Sequence, residues 1–202
     1  MISGSTHSVY LDGPVRLNSR HIGNLLEEKG LSWKAYAEDY PGNCFLGAAR
    51  GRYVRKHVPF LSFTSVQSDP SECAKVVNAS QFDQDYRSGN LPTFSFYSPN
   101  LDHDGHDTGA EFADHWLSQK FGPIIEDKRV MQDILLVVTF DESEKLWGTN
   151  QVYTVMVGGT VVPGTVIDQP HHHYSFLRLM EENFGLGTLG LFDQSAPEIF
   201  QH

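Results

Sequence analysis

Apolar residues recur at the i, i+3 and i+4 spacing of helices in five segments of the chain. The first predicted helix follows a capping residue, Asn18 or Ser19, and continues to Lys29. The other predicted helices cover residues 32–39, 81–87, 110–126 and 171–184. Pro123 is expected to kink or end the longest of them, because proline cannot donate the backbone hydrogen bond of a helix interior.

Three apolar runs have the composition of β-strands. They are Thr93–Tyr97, Ile134–Phe140 and Val152–Val157, and the second is almost continuously apolar, as expected for a strand buried on both faces. Residues 41–72, rich in Gly, Pro and Ser, predict a long irregular excursion. Alternating helices and buried strands predict one layered α/β domain over residues 1–202, with a largely parallel sheet.

The net charge of the chain bears on which kinds of molecule it binds. A chain of 202 residues with a formal net charge of −10 lacks the general basic field that attracts nucleic acid or anionic membranes. The negative net charge does not exclude phosphate substrates, because a bound metal ion can make the local electrostatic potential positive. No apolar run is long enough for a membrane span, and the first residues do not have the pattern of a signal peptide.

The densest cluster of polar residues follows the first predicted strand. In Asp102-His103-Asp104-Gly105-His106-Asp107, five of six side chains are potential metal ligands, and Gly105 allows the bend that brings Asp102 and His106 together. Carboxylate and imidazole suit a divalent ion of borderline softness. The alternative is a plain polar turn.

Two further clusters occupy comparable positions. Asp141 and Glu142 directly follow the apolar run 134–140, where metal binding would satisfy both carboxylates, although a cap and a solvated side chain would also account for them. His171-His172-His173 begins the last predicted helix and is either surface polarity or part of a site at the strand ends. Two metal sites in one crevice would explain all three clusters.

Two cysteines and one sequon bear on the cellular compartment. Cys44 and Cys73 are compatible with a disulfide or with a reduced pair in the core, and their number does not decide between these alternatives. Asn78-Ala79-Ser80 is a glycosylation sequon, a triplet that is frequent by chance.

Several of these motifs together resemble the phosphoesterase family of fungal and bacterial acid phosphatases and bacterial phospholipases C, within the alkaline-phosphatase-like superfamily. The most specific pieces are Asp102-His103-Asp104-Gly105-His106 and Thr139-Phe140-Asp141-Glu142. The other matching stretches follow the family's order along the chain, at residues 2–7, 31–38, 53–57, 91–94 and 173–177. The acid-phosphatase branch is the more similar one.

The resemblance implies a fold and a set of roles. The fold is an αβα sandwich, the substrate a small phosphate ester, and the cofactor one or two divalent metal ions, with zinc favoured over magnesium, manganese or calcium. The implied ligands of one metal are Asp102, His106 and His173. The implied ligands of the second are Asp141 and Glu142, the former more closely matched. The implied substrate-binding residues are His57 and His172.

The resemblance also bears on the compartment. The parent protein is expected to be secreted or in the cell wall, with a Cys44–Cys73 disulfide and a glycan at Asn78.

The chain departs from the family's pattern at its start. Family members carry a Glu-Asn pair on a first strand and then a Ser or Thr nucleophile, and both would lie before Met1. Ser3, Ser5 and Thr6 do not match the nucleophile position. The expected reaction in the parent protein therefore proceeds through a phospho-enzyme, whereas this chain alone is expected to bind metal with little turnover.

Three alternatives remain. The first is an inactive metal-binding remnant or pseudoenzyme. The second is a phosphodiesterase of the phospholipase C type. The third, which has weaker support, is a protein that acts on or binds carbohydrate.

Overall fold

The computed structural model describes residues 1–143 and 148–200, and a three-stranded parallel sheet lies at its centre. The strand order is β4 (Val76–Asn78), β1 (Trp33–Ala37) and β5 (Phe94–Ser98). Ala35 on the central strand is in register with Val76 on one side and Phe96 on the other. The parallel α/β architecture predicted from the sequence is confirmed.

The central strand corrects one prediction. Residues 32–39 were expected to be helical, but Trp33–Ala37 is β1. Its Ala and Lys residues favour helices locally, yet pairing with strands on both edges satisfies its backbone and buries four of its five side chains. Tertiary pairing therefore overrides local propensity here.

Side chains of β1 alternate between two apolar layers. Trp33, Ala35 and Ala37 face a cluster that includes residues of α1 (Ile22–Glu28) and α7 (His173–Asn183). Tyr36 points to the opposite side, where it joins the second cluster. That cluster draws on α4 (Ser80–Ser88), α5 (Ala110–Glu126) and α6 (Lys128–Met131). Helices thus cover both faces of the sheet, as in an αβα sandwich.

Helix boundaries follow the sequence patterns closely. α5 spans residues 110–126 as predicted and includes Pro123 without ending there. α4 ends at Gly89, which adopts a left-handed conformation. The start of α1 differs from the prediction, because His21, and not Asn18 or Ser19, caps the helix by accepting a hydrogen bond from the Gly23 amide at 3.1 Å.

The excursion over residues 41–72, which was predicted to be irregular, contains several short elements. Its β-hairpin pairs two strands of two residues each, β2 (Ala49–Arg50) and β3 (Tyr53–Val54). It also contains two 3₁₀ turns, α2 (Thr64–Ser68) and most of α3 (Pro70–Cys73). The 3₁₀ turns are Arg55–His57 and Pro59–Ser62.

A disulfide ties the excursion to α3. Cys44 and Cys73 are bonded, with their Cα atoms 5.6 Å apart, so the predicted disulfide is confirmed.

The last two strands correct a second prediction. β6 (Leu135–Thr139) and β7 (Thr154–Gly158) pair antiparallel with each other, and the described residues give them no pairing with the central sheet. β6 is only half-buried, although its apolar run predicted burial on both faces. Leu136 and Val157 pack against the second cluster and anchor the hairpin to the helical layer.

Candidate phosphoesterase site

The loop after β5 owes its shape to short polar contacts. The Asn100 side-chain oxygen accepts hydrogen bonds from the amides of Asp102 (3.1 Å) and His103 (3.0 Å). Asp104 accepts from the His106 amide at 2.8 Å. Gly105 has φ +88°, and an added Cβ would lie 3.2 Å from the Gly109 carbonyl oxygen. The sequence therefore folds into a tight polar turn that groups its imidazoles and carboxylates.

His57 reaches this loop from the 3₁₀ turn Arg55–His57. Its Nδ1 lies 3.1 Å from Asp104 Oδ2, and its ring centroid lies 6.5 Å from that of His106. Burial lowers the pKa of His57, and the Asp104 carboxylate opposes that shift. The predicted substrate-binding histidine is thus brought together with the loop that carries two of the predicted metal ligands.

Arg52 is a functional candidate that the sequence reasoning missed. Its guanidinium contacts Asp102 (Nε to Oδ2, 3.1 Å) and Asp107 (Nη1 to Oδ2, 2.7 Å). Its backbone oxygen also accepts from the Leu101 amide at 3.2 Å. Arg52 lies five residues before His57, and only tertiary contact places it against the loop.

Glu38 is a second residue that the sequence did not single out. Its Oε2 lies 2.6 Å from His103 Nδ1 and accepts a hydrogen bond from the Asn100 amide at 3.1 Å. Its Oε1 accepts a hydrogen bond from the Tyr97 hydroxyl at 3.1 Å. The His103 ring stacks on Trp116 at a centroid distance of 5.1 Å. These contacts fix the side of the loop that faces α5.

His173 and Asp141 meet at the start of α7. His173 Nε2 lies 2.9 Å from the backbone oxygen of Asp141, which connects the end of β6 to the last helix. Asp141 and Glu142 are both exposed to solvent. Burial therefore imposes no penalty on these carboxylates, which removes one reason for expecting a metal there.

His172 has a structural role in the helix. As the N-cap of α7, its Nδ1 accepts a hydrogen bond from the Ser175 amide at 3.3 Å, and the Ser175 hydroxyl accepts from the His172 amide at 3.4 Å. Its assignment to the substrate stays a prediction. The helix begins at His173, two residues after the predicted start at His171.

The predicted metal ligands do not form a complete coordination site. In residues 1–143 and 148–200, no group of three or more His, Cys, Asp or Glu side chains is arranged to hold one ion. The donor chemistry of Asp102, His106 and His173 suits a divalent metal, but their placement does not gather them around one point. The metal assignment stays a prediction.

The sequon residue is engaged in the fold. Asn78 is half-buried at the end of β4, where its Nδ2 donates to the Tyr40 carbonyl at 3.0 Å and its Oδ1 accepts from the Ser80 amide at 3.0 Å. Glycosylation at this position remains a prediction, and a glycan would replace the contact with Tyr40.

Comparison with known proteins places these motifs in a family. A model of the phosphoesterase family matches residues 12–187, which include the loop at 102–107 and the start of α7. The chain belongs to the phosphoesterase family.

Curated relatives extend the comparison. A probable acid phosphatase of Kluyveromyces lactis is 35% identical over 89% of this chain and 45% of its own length. A phosphate-repressible acid phosphatase of Penicillium chrysogenum is 32% identical with the same coverage. A phosphatidylinositol-3-phosphatase of Mycobacterium tuberculosis is 33% identical over 88% of this chain and 56% of its length. The chain therefore spans about half the length of the curated relatives it matches.

The names of these three relatives refer to different phosphatase activities. Two of the three relatives above are named as acid phosphatases, and one for a lipid phosphate. In the part of the chain that the structure describes, no helix is both long and apolar enough to cross a bilayer.

Proposed function

We propose that the protein hydrolyses phosphate esters, with phosphomonoesters as the preferred substrates. The observation that carries this proposal is the convergence of His57 with the Asp102–Asp107 loop in a chain that belongs to the phosphoesterase family. The acid-phosphatase names of several relatives support the monoester preference.

The proposed roles follow from chemistry that the described residues provide. Arg52 orients Asp102 and Asp107 and contributes positive charge beside the site of a dianionic phosphate. His57, held by Asp104, provides an imidazole for hydrogen bonding to the phosphoryl group. Hydrogen bonds from positioned donors stabilise the charge that develops on phosphoryl oxygens.

Divalent metal ions are part of the proposal. This part of the proposal rests on the resemblance, because the described residues do not gather Asp102, His106 and His173 around one point. If they converge on binding metal, these three residues would hold one ion and Asp141 and Glu142 would contribute to a second, and such ions would supply charge neutralisation for the phosphoryl group. The resemblance also implies that the parent protein reacts through a phospho-enzyme intermediate on a Ser or Thr residue. Secretion is proposed on the basis of the Cys44–Cys73 disulfide, which is typical of oxidising compartments.

A second candidate is hydrolysis of phosphodiesters or of phosphorylated lipid headgroups. The mycobacterial relative named for a phosphatidylinositol phosphate favours it. Both candidate reactions use the same phosphate site. They differ in the organic groups that are esterified to the phosphate.

The test combines ligand binding with turnover. Calorimetric titration of the chain with inorganic phosphate, in the presence of zinc, magnesium, manganese or calcium, is expected to show binding that His57→Ala weakens. His115→Ala is the matched control, because His115 is an exposed histidine on α5 whose side chain contacts Gln119. Equal binding by both variants would remove His57 from the site.

Turnover of a chromogenic phosphomonoester and of the corresponding diester is then compared in the protein that carries this domain. A preference for the monoester is expected. Efficient cleavage of the diester with no monoester activity would favour the second candidate. Phosphate binding without turnover is the result expected of a metal-binding remnant.

A further inference from the structure

Glu181 on α7 and Asp193 in the loop that follows it are two buried carboxyl groups that interact electrostatically. Glu181 is 2% exposed and Asp193 is fully buried. Asp193 accepts hydrogen bonds from the amides of Leu189 (2.7 Å) and Leu191 (3.0 Å), one on each oxygen. Neither oxygen of Glu181 makes a hydrogen bond to a described residue. The two acids thus differ, because each oxygen of Asp193 accepts from a backbone amide, whereas the Leu189 amide, which also acts on Glu181, already donates to Asp193.

The charged groups around Glu181 do not compensate a second negative charge. Asp193 from the loop and Glu182 from α7 both act on it as anions. Arg178, the cation on the same helix, is committed to Glu182 (2.6 Å), to Glu198 and to the Ala196 carbonyl (2.6 Å). Burial first, and then the Asp193 carboxylate, raise the pKa of Glu181 to about 8.

Asp193 also contacts the start of the chain. The Phe192 amide donates to the Gly4 carbonyl at 3.0 Å. Gly4 has φ +66° and lies so close to Asp193 that an added Cβ would be 2.2 Å from Oδ1. On the same segment, Ser3 is buried and its hydroxyl lies 3.1 Å from His7 Nε2. The loop at 189–193 is therefore packed directly against Gly4, within the segment 2–7.

We propose that Glu181 and Asp193 share one proton at neutral pH and that loss of this proton at alkaline pH releases residues 2–7 from the loop at 189–193. In the protonated state the Glu181 hydroxyl donates toward the Asp193 carboxylate. When the proton leaves to solvent, two carboxylates remain in a site without a free cation among the described residues. Repulsion then displaces the Asp193 loop, and the Phe192–Gly4 hydrogen bond breaks.

The sign of the pH effect follows from linkage. The folded state retains the Glu181 proton above the ordinary glutamate pKa of 4.5, at which the unfolded chain releases it. Folding stability from this group is therefore fully present below about pH 4.5 and decreases as pH rises toward the folded pKa. Above that pKa the contribution of this group no longer changes with pH.

Glu181→Gln is the decisive variant, because glutamine has the shape of the protonated acid and donates from its amide without ionising. Urea unfolding of wild type, Glu181→Gln and Glu182→Gln is compared with the disulfide intact and EDTA present. Between about pH 6 and 8, the wild-type unfolding equilibrium constant is expected to rise at least about tenfold more than that of Glu181→Gln. Glu182→Gln, which removes a partly exposed carboxylate next to it, should retain the wild-type pH dependence.

Amide hydrogen exchange tests the release itself. After correction for the intrinsic rate, peptides covering residues 2–7 and 186–196 are expected to lose protection with rising pH in wild type and to keep it in Glu181→Gln. Peptides from β1 should be unaffected in both. Unchanged protection of residues 2–7 would overturn the proposed release even if stability varies with pH.

A direct titration keeps the proposal testable if Glu181→Gln does not fold. Carbon NMR of the wild-type side-chain carboxyls is expected to show one glutamate that remains protonated well above the ordinary glutamate range. If every glutamate titrates in the ordinary range, or if wild type and Glu181→Gln have the same pH dependence of unfolding, the shared proton does not exist.

Discussion

His57 Nδ1 lies 3.1 Å from Asp104 Oδ2, so a histidine from the 3₁₀ turn and a carboxylate from the loop after β5 hold each other at the candidate site. Both side chains are mostly removed from solvent, at 23% and 20% exposure. Because burial lowers the pKa of His57, this contact at neutral pH joins a neutral imidazole to the Asp104 carboxylate, and its partial burial restrains the imidazole more than an exposed contact would.

Asp104→Asn should therefore reduce phosphate-ester turnover while leaving the fold intact. The contact has a short distance without hydrogen-bond geometry, so we expect a loss of about tenfold, which corresponds to ~1.4 kcal/mol. The measurement is kcat/KM for a phosphomonoester in the protein that carries this domain. Asp114→Asn, an exposed carboxylate on α5, is the control. Equal activity of both variants would show that the His57–Asp104 contact does not position the imidazole.

Gly105 is expected to be intolerant of a side chain. Gly105→Ala places a Cβ at φ +88° and 3.2 Å from the Gly109 carbonyl oxygen, which should cost about 1–2 kcal/mol of stability. Gly122→Ala is the matched control, because Gly122 lies inside α5 with no atom within 4 Å of the added Cβ. That change should stabilise the protein by ~0.5–1 kcal/mol. Urea denaturation of both variants measures the contrast, and a neutral Gly105→Ala would contradict the tight-turn geometry.

Removing the disulfide should destabilise the domain without changing its fold. The Cys44–Cys73 bond closes a loop with a sequence separation of 29 residues, for which the chain-entropy estimate is ~3–4 kcal/mol. The double variant Cys44→Ser with Cys73→Ser is compared with wild type by thermal and urea unfolding. A difference below about 1 kcal/mol would indicate that the excursion is held chiefly by its apolar contacts.

Asp85 should contribute an acid-sensitive part of the stability. It is buried and accepts from Lys34 (2.6 Å), Tyr36 (2.7 Å) and Gln81 (2.9 Å). Burial opposes ionisation, but these hydrogen bonds outweigh it and lower the pKa of Asp85 below its ordinary value of 3.8. The stabilisation is therefore present above that value and is lost as pH falls through the lower, folded pKa.

The variant Asp85→Asn tests this account. It should cost ~2–3 kcal/mol at neutral pH, because the partners lose a charged acceptor, and less than that below about pH 3. Asp83→Asn, whose carboxylate is 44% exposed and pairs with Lys120, is the control. A loss of stability that is the same at neutral and acid pH would mean that Asp85 is not ionised in the folded protein.

The local pattern of the sequence determined the four longest helices, α1, α4, α5 and α7, and one strand of the central sheet, β5. α5 begins and ends at the predicted residues, and Gly89 ends α4, because helical periodicity and glycine termination act within a few residues. The polar loop after β5 and the Cys44–Cys73 pairing were also predicted, the second from the resemblance to a family whose members are expected to be secreted.

Tertiary structure decided the features that depend on distant partners. Residues 33–37 form the central strand because two other strands pair with them, and no local signal outweighs that pairing. The β6–β7 hairpin is half-buried because β6 pairs along one edge with its own neighbour in sequence. Arg52, Glu38 and the Glu181–Asp193 pair acquire their roles from contacts across the chain. Charge and burial at such positions are set by the folded environment and not by neighbouring residues in the sequence.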